Sequence, residues 1–213
     1  MSAALEVCDL GRRRFGEVFE IQERRAAERR AGTAPDTLLL VEHEPVYTLG
    51  RRGRAEHILA SPAALARAGI EVVRTTRGGD VTYHGPGQLV AYPIIDLLAR
   101  GQGAAWYVNR LEEVILRVLA DFGIAGGRDP QHRGVWVGAD KIAAVGVRVS
   151  GGVTLHGVAL NVAPDLAWFE GIVPCGIRDR GVTAMARHAP GVTVAVVKPR
   201  LTARFREVFG YEA

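Results

Sequence analysis

The sequence predicts an α/β protein of the α+β kind, with a mixed, largely antiparallel sheet flanked by helices. Three observations carry that expectation. Helical and extended patterns are interspersed along the chain. A block of three extended segments, GVWVG (134–138), KIAAVGVRVS (141–150) and VTLHGVALNV (153–162), is joined by turns too short for parallel crossovers. No linker, repeat or low-complexity tract divides the 213 residues, so residues 1–213 read as one domain.

The elements follow in order. Residues 14–31, RFGEVFEIQERRAAERRA, have Phe15, Val18, Phe19 and Gln22 at helical spacing. TLLLVE (37–42) is a buried strand, and Ser61-Pro62 opens a short helix that Gly69 stops. IEVVRT (70–75) is a strand leading into a glycine-rich loop, RGGDVTYHGPGQ, and QLVAYPIIDL (88–97) is a strand leaving it. Residues 104–123 form the clearest helix, with Leu111, Val114, Ile115, Val118, Leu119 and Phe122 on one side. Gly151-Gly152 suits a two-residue hairpin turn. Helices are expected over 182–189 and again through RLTARFREVFG, which Pro199 either starts or kinks. The first 35 residues are the least diagnostic.

Composition excludes several classes. Apolar residues make up 48% and charged residues 23%, as in ordinary soluble proteins. No run approaches the roughly 18 apolar residues of a membrane-spanning helix. The start, MSAALEVCDLGRRR, lacks the pattern of a secretory signal, and Cys8 and Cys175 are too few for a disulfide framework, so a cytoplasmic protein is expected. Lys141 and Lys198 are the only lysines among 27 basic residues, an arginine excess that fits either a coding bias or an acidic partner. The chain has no GxxxxGK[ST] or GxGxxG phosphate loop, no HExxH or paired CxxC metal motif, and no GxSxG elbow. Neither a bound cofactor nor a metal is expected.

Cys175 sits in IVPCGI, where Pro174 stiffens the approach and Gly176 frees a backbone N–H beside the sulfur. Pro-Cys-Gly suits a thiol nucleophile with an oxyanion donor, or a small buried hydrophobe. A thiolate needs a proton acceptor or a counter-charge, and His84, His156 and Lys141 are the candidates. With Gly151-Gly152 as a two-residue turn, Ser150 faces Val153, Gly146 faces Gly157 and Ala144 faces Ala159. Facing glycines and alanines leave a trough for a slim acyl chain, or for a closely packed helix. Strict alternation puts Lys141 on the opposite face, so reaching this site takes a bulge or strong twist near Asp140.

RGGDVTYHGPGQ, KIAAVGVRV, LHGVALNV and PCGI occur in the order and spacing of the lipoyl(octanoyl) transferases, which the chain resembles over nearly its whole length. The resemblance implies the catalytic-domain fold of biotin and lipoate protein ligases. It implies an acyltransferase that takes octanoyl from octanoyl-acyl carrier protein onto a cysteine, and passes it to a lysine of lipoyl domains, those of 2-oxoacid dehydrogenases and the glycine cleavage H protein. No nucleic acid or membrane partner is implied. Cys175 matches the nucleophile, and Lys141 the lysine that lowers the thiol's pKa. Arg77, Gly78, Gly79, Asp80, Val81, Thr82, Tyr83 and His84 match the main substrate-binding loop. Ala144, Val145, Gly146 and Gly157, Val158, Ala159 match two shorter binding segments. On this view the glycines of Arg77–Gln88 leave the backbone bare for an acyl thioester and its pantetheine arm. The alternative is a crowded sheet corner. Competing functions are an ATP-dependent lipoate or biotin ligase, of whose GRGRRG-type loop GRRGR (50–54) is a partial echo, a thiol hydrolase, and a non-catalytic acyl-carrier adaptor.

Overall fold

The computed structural model describes residues 4–173 and 180–212. Cys175, in PCGI, lies outside the described residues. Among the described residues, ten strands fall into two sheets. The larger holds seven, in the spatial order β1 (Leu5–Arg13), β2 (Asp36–His43), β6 (Gln88–Ile94), β10 (Val153–Asn161), β9 (Asp140–Ser150), β8 (Val135–Val137) and β7 (Gly127–Arg128). Only β1 and β2 run parallel; every other pair in it is antiparallel. The smaller sheet places β3 (Val46–Leu49) between β4 (Glu71–Arg74), parallel to it, and β5 (Val81–His84), antiparallel to it.

Helices cover both faces of the large sheet. The helix α1 (Phe15–Arg30) buries Phe15, Val18, Gln22 and Ala26, one helical stripe, against the face that carries Leu39, Val41, Val90, Tyr92 and Ala159. On the opposite face, α3 (Ala104–Asp121) and α4 (Val194–Phe209) pack over Leu38, Leu40, Leu89, Val158 and Leu160. α2 (Pro62–Ala68) follows the expected punctuation: the Ser61 hydroxyl accepts the Ala64 N–H, and Gly69 stops the helix in the left-handed conformation at φ 65°. α4 begins at Val194 and continues past Pro199 to Phe209, so Pro199 does not start it.

Four strands, β1, β3, β5 and the two-residue β7, were not legible beforehand. β1 is a half-exposed edge whose pairing shifts between Asp9 and Arg12, so it lacks a buried strand's continuous apolar run. β3 and β5 are four-residue strands, and β5 lies inside the glycine-rich stretch read as loop. The helix expected over 182–189 shrinks to a 3₁₀ turn at Met185–Arg187. Its first residues are drawn into sheet pairing instead: Thr183 donates its N–H to the Lys141 carbonyl, and Val182 bridges Lys141 in parallel.

Candidate active site

The hairpin of β9 and β10 has the expected register. Ser150 faces Val153, Gly146 faces Gly157 and Ala144 faces Ala159, around a turn whose glycines both have positive φ, 55° and 82°. The misplaced Lys141 is resolved by a β-bulge. Val135 pairs with Ala143 while Trp136 pairs with Lys141, so β9 holds one extra residue there. Ile142 and Ala143, consecutive in sequence, both enter the core beneath α3. That double step reverses the alternation, and Lys141 joins Ala144 and Gly146 in the wall of a narrow cavity. Its ammonium stands 4.8 Å from the centroid of the Trp136 ring, and the Arg180 guanidinium lies over the same ring at 5.4 Å. The Lys141 main chain is pinned on both sides, its N–H to the Gly181 carbonyl at 2.9 Å and its C=O to the Thr183 N–H at 3.0 Å.

The cavity, of about 70 Å³, lies between the α1-side face of the large sheet and the smaller sheet. Phe15, Val90, Tyr92 and Ala159 supply apolar wall, with Phe169 and Val182 from the segments flanking 174–179. Polar lining comes from Arg77, His84, Gln88, His156 and Asn161. Phe15, Tyr92, Phe169 and Asn161 do not stand out as site residues in the sequence. Asn161 was the findable one, because it shares the period-2 face of Ala159 and Gly157, which is otherwise apolar.

Arg77 crosses the trough. Its guanidinium is buried at 7% exposure and donates to the Thr48 hydroxyl and carbonyl, at 2.8 and 2.5 Å, and to the Gly78 carbonyl at 3.0 Å. A Cβ at Gly146 would meet the Arg77 side chain at 3.1 Å, and one at Gly157 would strike the Ala91 carbonyl oxygen at 2.2 Å. The facing glycines therefore admit an arginine on one strand and a neighbouring backbone on the other, and the open part of the trough runs past Ala144 and Ala159.

The glycines of Arg77–Gln88 divide in the same way. Cβ atoms at Gly85 and Gly87 would fall 2.0 Å from the Tyr83 hydroxyl and 2.3 Å from the Ala163 carbonyl oxygen, so both answer to the chain's own crowding. Gly78 meets nothing closer than 3.4 Å, and Gly79 takes φ 87°. The GRRGR segment packs on this loop through N–H donation from Gly50 to Asp80, Arg51 to Arg77 and Arg52 to Gly79. The Asp80 carboxylate holds His57 Nδ1 at 2.5 Å and accepts the Arg54 N–H at 3.2 Å. Val81 and Tyr83 turn into the smaller sheet's core, and Val158 into the core under α3. Tyr83 belongs to packing, while Val81 and Val158 also line the cavity. Thr82 and His84 alternate to the cavity side.

A buried polar chain fixes the state of His84. Gln88 Nε2 donates to the Tyr83 carbonyl and to Asn161 Oδ1, so Gln88 Oε1 is an acceptor and His84 Nδ1 donates to it at 2.7 Å. His84 Nε2 then carries the lone pair. Asn161 Nδ2 continues the chain to the carbonyl of Thr183, whose N–H clamps Lys141. His84 is held neutral, its pKa pushed well below 6.5 by burial and by the facing His43 and Arg77. Burial also lowers His43 to about 4, and burial with the Arg77 charge lowers His156 to about 3. His156 has a left-handed backbone, φ 58°, stabilised where its N–H meets Gln22 Oε1 at 2.8 Å.

The sequence profile of the lipoyl protein ligase A/B catalytic domain matches residues 15–206. The octanoyltransferase of Chloroflexus aurantiacus is 52% identical over 98% of this chain and 95% of its own length. The chain belongs to this octanoyltransferase family. Its fold is that of the ligases as well. Lipoate-protein ligase A bound with ATP superposes with a TM-score of 0.77 at 18% identity, covering 100% of this chain and 87% of the ligase. The Aquifex aeolicus biotin protein ligase in complex with biotin and ATP gives 0.58 at 15% identity over 96% of this chain and 70% of its own. Among the described residues, no helix is long and apolar enough to cross a membrane, and no three histidine, cysteine or carboxylate side chains gather as a metal site.

Proposed function

We propose that this chain, as one acyltransferase domain, moves an octanoyl group from an acyl carrier protein to a lysine of a lipoyl domain by way of a thioester on Cys175. The observation that carries the reading is the bulge in β9, which turns Lys141 into the same apolar cavity as Ala144, Ala159 and His84. The segment bearing Cys175 leaves the described chain at Val173 and returns at Arg180, next to the Gly181 carbonyl that holds the Lys141 N–H.

In the first step the Cys175 thiolate bonds to the octanoyl carbonyl carbon and the carrier's carbon–sulfur bond breaks. Lys141, as ammonium, gives its proton to the departing thiol. One thioester replaces another, so acyl-transfer potential is kept and no ATP is spent. In the second step the amine of the acceptor lysine attacks the acyl-enzyme. Lys141, now neutral, takes the proton released from that nitrogen, Cys175 leaves as thiolate and a stable amide forms. The narrow apolar cavity suits an unbranched chain, and the lone pair on His84 Nε2 offers a second acceptor along it. Localisation in the cytoplasm, where carrier proteins and lipoyl domains meet, completes the proposal.

The test is a reconstituted transfer from octanoyl-carrier protein to an isolated lipoyl domain without nucleotide. Octanoylated domain is the expected product. A requirement for ATP with free octanoate as donor would assign the chain to the ligases, and release of free octanoate alone would make it a hydrolase.

A further inference from the structure

Beyond Ala143, β9 has no partner strand on its outer side among the described residues, since β8 pairs only with Asp140–Ala143. An open groove follows this edge from Lys141 to Val147, bounded by the first turn of α3, by Gly78-Gly79 and by Arg52 and Arg133. It has about 530 Å³ of room and shares Gly79, Lys141 and Ala144–Gly146 with the apolar cavity. Every charged side chain among its described lining residues is cationic.

We infer that this edge groove binds the arm that carries the acyl thioester, a chain with two secondary amides ending in a phosphate, as in phosphopantetheine. The inference rests on the transfer proposed above and assigns the donor's arm a place of its own. Three features fit that ligand. The first is length. Six residue steps from Lys141 to Val147 span about 20 Å, and the extended arm from sulfur to phosphate measures about 16 Å by ordinary bond lengths. The second is polarity along the way. The Val147 carbonyl points out of the sheet to accept the Gly78 N–H at 2.9 Å. By strand alternation the N–H and C=O of Val145 point the same way, into the groove, where an amide of the arm can pair as an added strand would. The third is charge at the far end. Arg52 is exposed, and its N–H donates to the carbonyl of Gly79 at 3.1 Å, next to the Gly78 that pairs with Val147. The acyl tail then enters the cavity at the Lys141 end, and the phosphate sits at Arg52.

The experiment compares three octanoyl thioesters as donors: N-acetylcysteamine with one amide, pantetheine with two, and 4′-phosphopantetheine. kcat/KM is expected to rise at each step, by about tenfold for the phosphate. In Arg52→Ala the phosphate step collapses toward unity while the step from N-acetylcysteamine to pantetheine persists, and Arg52→Lys restores part of it. A flat series in the unaltered protein, or a phosphate step that survives Arg52→Ala, overturns the groove assignment while leaving octanoyl transfer intact. Transfer from none of the three or from octanoyl-carrier protein would instead sink the underlying function. Equal use of octanoyl-adenylate, with a phosphate step sensitive to Arg52→Ala, would move the phosphate next to the acyl carbonyl and refute the extended arm.

Discussion

Acidification from pH 7 to pH 5 should destabilise this protein through its buried histidines. His43 and His156 are almost wholly buried, at 0% and 1% exposure, and burial drops their pKa values to about 4 and about 3 from an ordinary 6.5. In the unfolded chain both imidazoles take up protons as the pH falls through 6.5, while in the folded chain they stay neutral. The stabilising preference for the neutral form is therefore complete above pH 6.5 and is lost on the way down to about 4 and about 3. At pH 5 each contributes a loss of about 2 kcal/mol, at roughly 1.4 kcal/mol per pH unit, or about 4 kcal/mol for the pair. His84 shifts in the same direction and adds to it. Asp9, Glu113, Asp121 and Asp129 are lowered below the usual carboxylate range and stay ionised throughout this window. For a chain of this size the loss corresponds to a fall in Tm of roughly 8–16 °C. Thermal unfolding followed by circular dichroism at pH 7, 6 and 5 measures it. A fall of less than about 3 °C, or imidazole resonances that titrate near 6.5 in the folded protein, would refute the burial argument.

Two substitutions probe the sheet and the proposed proton carrier. Gly157→Ala forces a Cβ to 2.2 Å from the Ala91 carbonyl oxygen, so β6 and β10 must part and stability should drop by roughly 3 kcal/mol or more; chemical denaturation reads it, and a loss under about 1 kcal/mol would show that the strands yield freely. Lys141→Arg keeps a cation beside Trp136 but removes a group able to take and return a proton, and turnover should fall by about 100-fold or more with a near-native denaturation curve. Near-normal turnover in that variant would confine Lys141 to electrostatics.

The parts of the fold that could be read in advance are those where local chemistry and tertiary environment agree. The Gly151-Gly152 turn dictates a register, and the pairing of Gly146 with Gly157 follows from it without further information. α1 and α3 announce themselves through apolar spacing because each packs one face against the sheet. β1 was hidden because an edge strand that is half exposed need not be apolar, and β5 because its four residues are embedded among glycines required for close packing. Residues 182–189 have helical composition, yet Thr183 and Val182 gain more by pairing with Lys141. In the site, the need for a bulge near Asp140 could be deduced from the parity of Lys141 and Ala144, and only its exact residue, between Lys141 and Ala143, depends on how β8 meets β9. The crossing of the trough by Arg77 was not legible, because Thr48, which receives its guanidinium, is remote in sequence.

Intact-mass analysis after incubation with octanoyl-carrier protein bears most directly on the proposed chemistry. One octanoyl group should appear on the unaltered protein, map by peptide sequencing to Cys175, and be absent from Cys175→Ser. Cys8 is a built-in control, since burial and the Glu6 carboxylate raise its thiol pKa and disfavour the reactive thiolate. An adduct on Cys8, or none on a protein that still transfers octanoyl to a lipoyl domain, would contradict a covalent intermediate at Cys175.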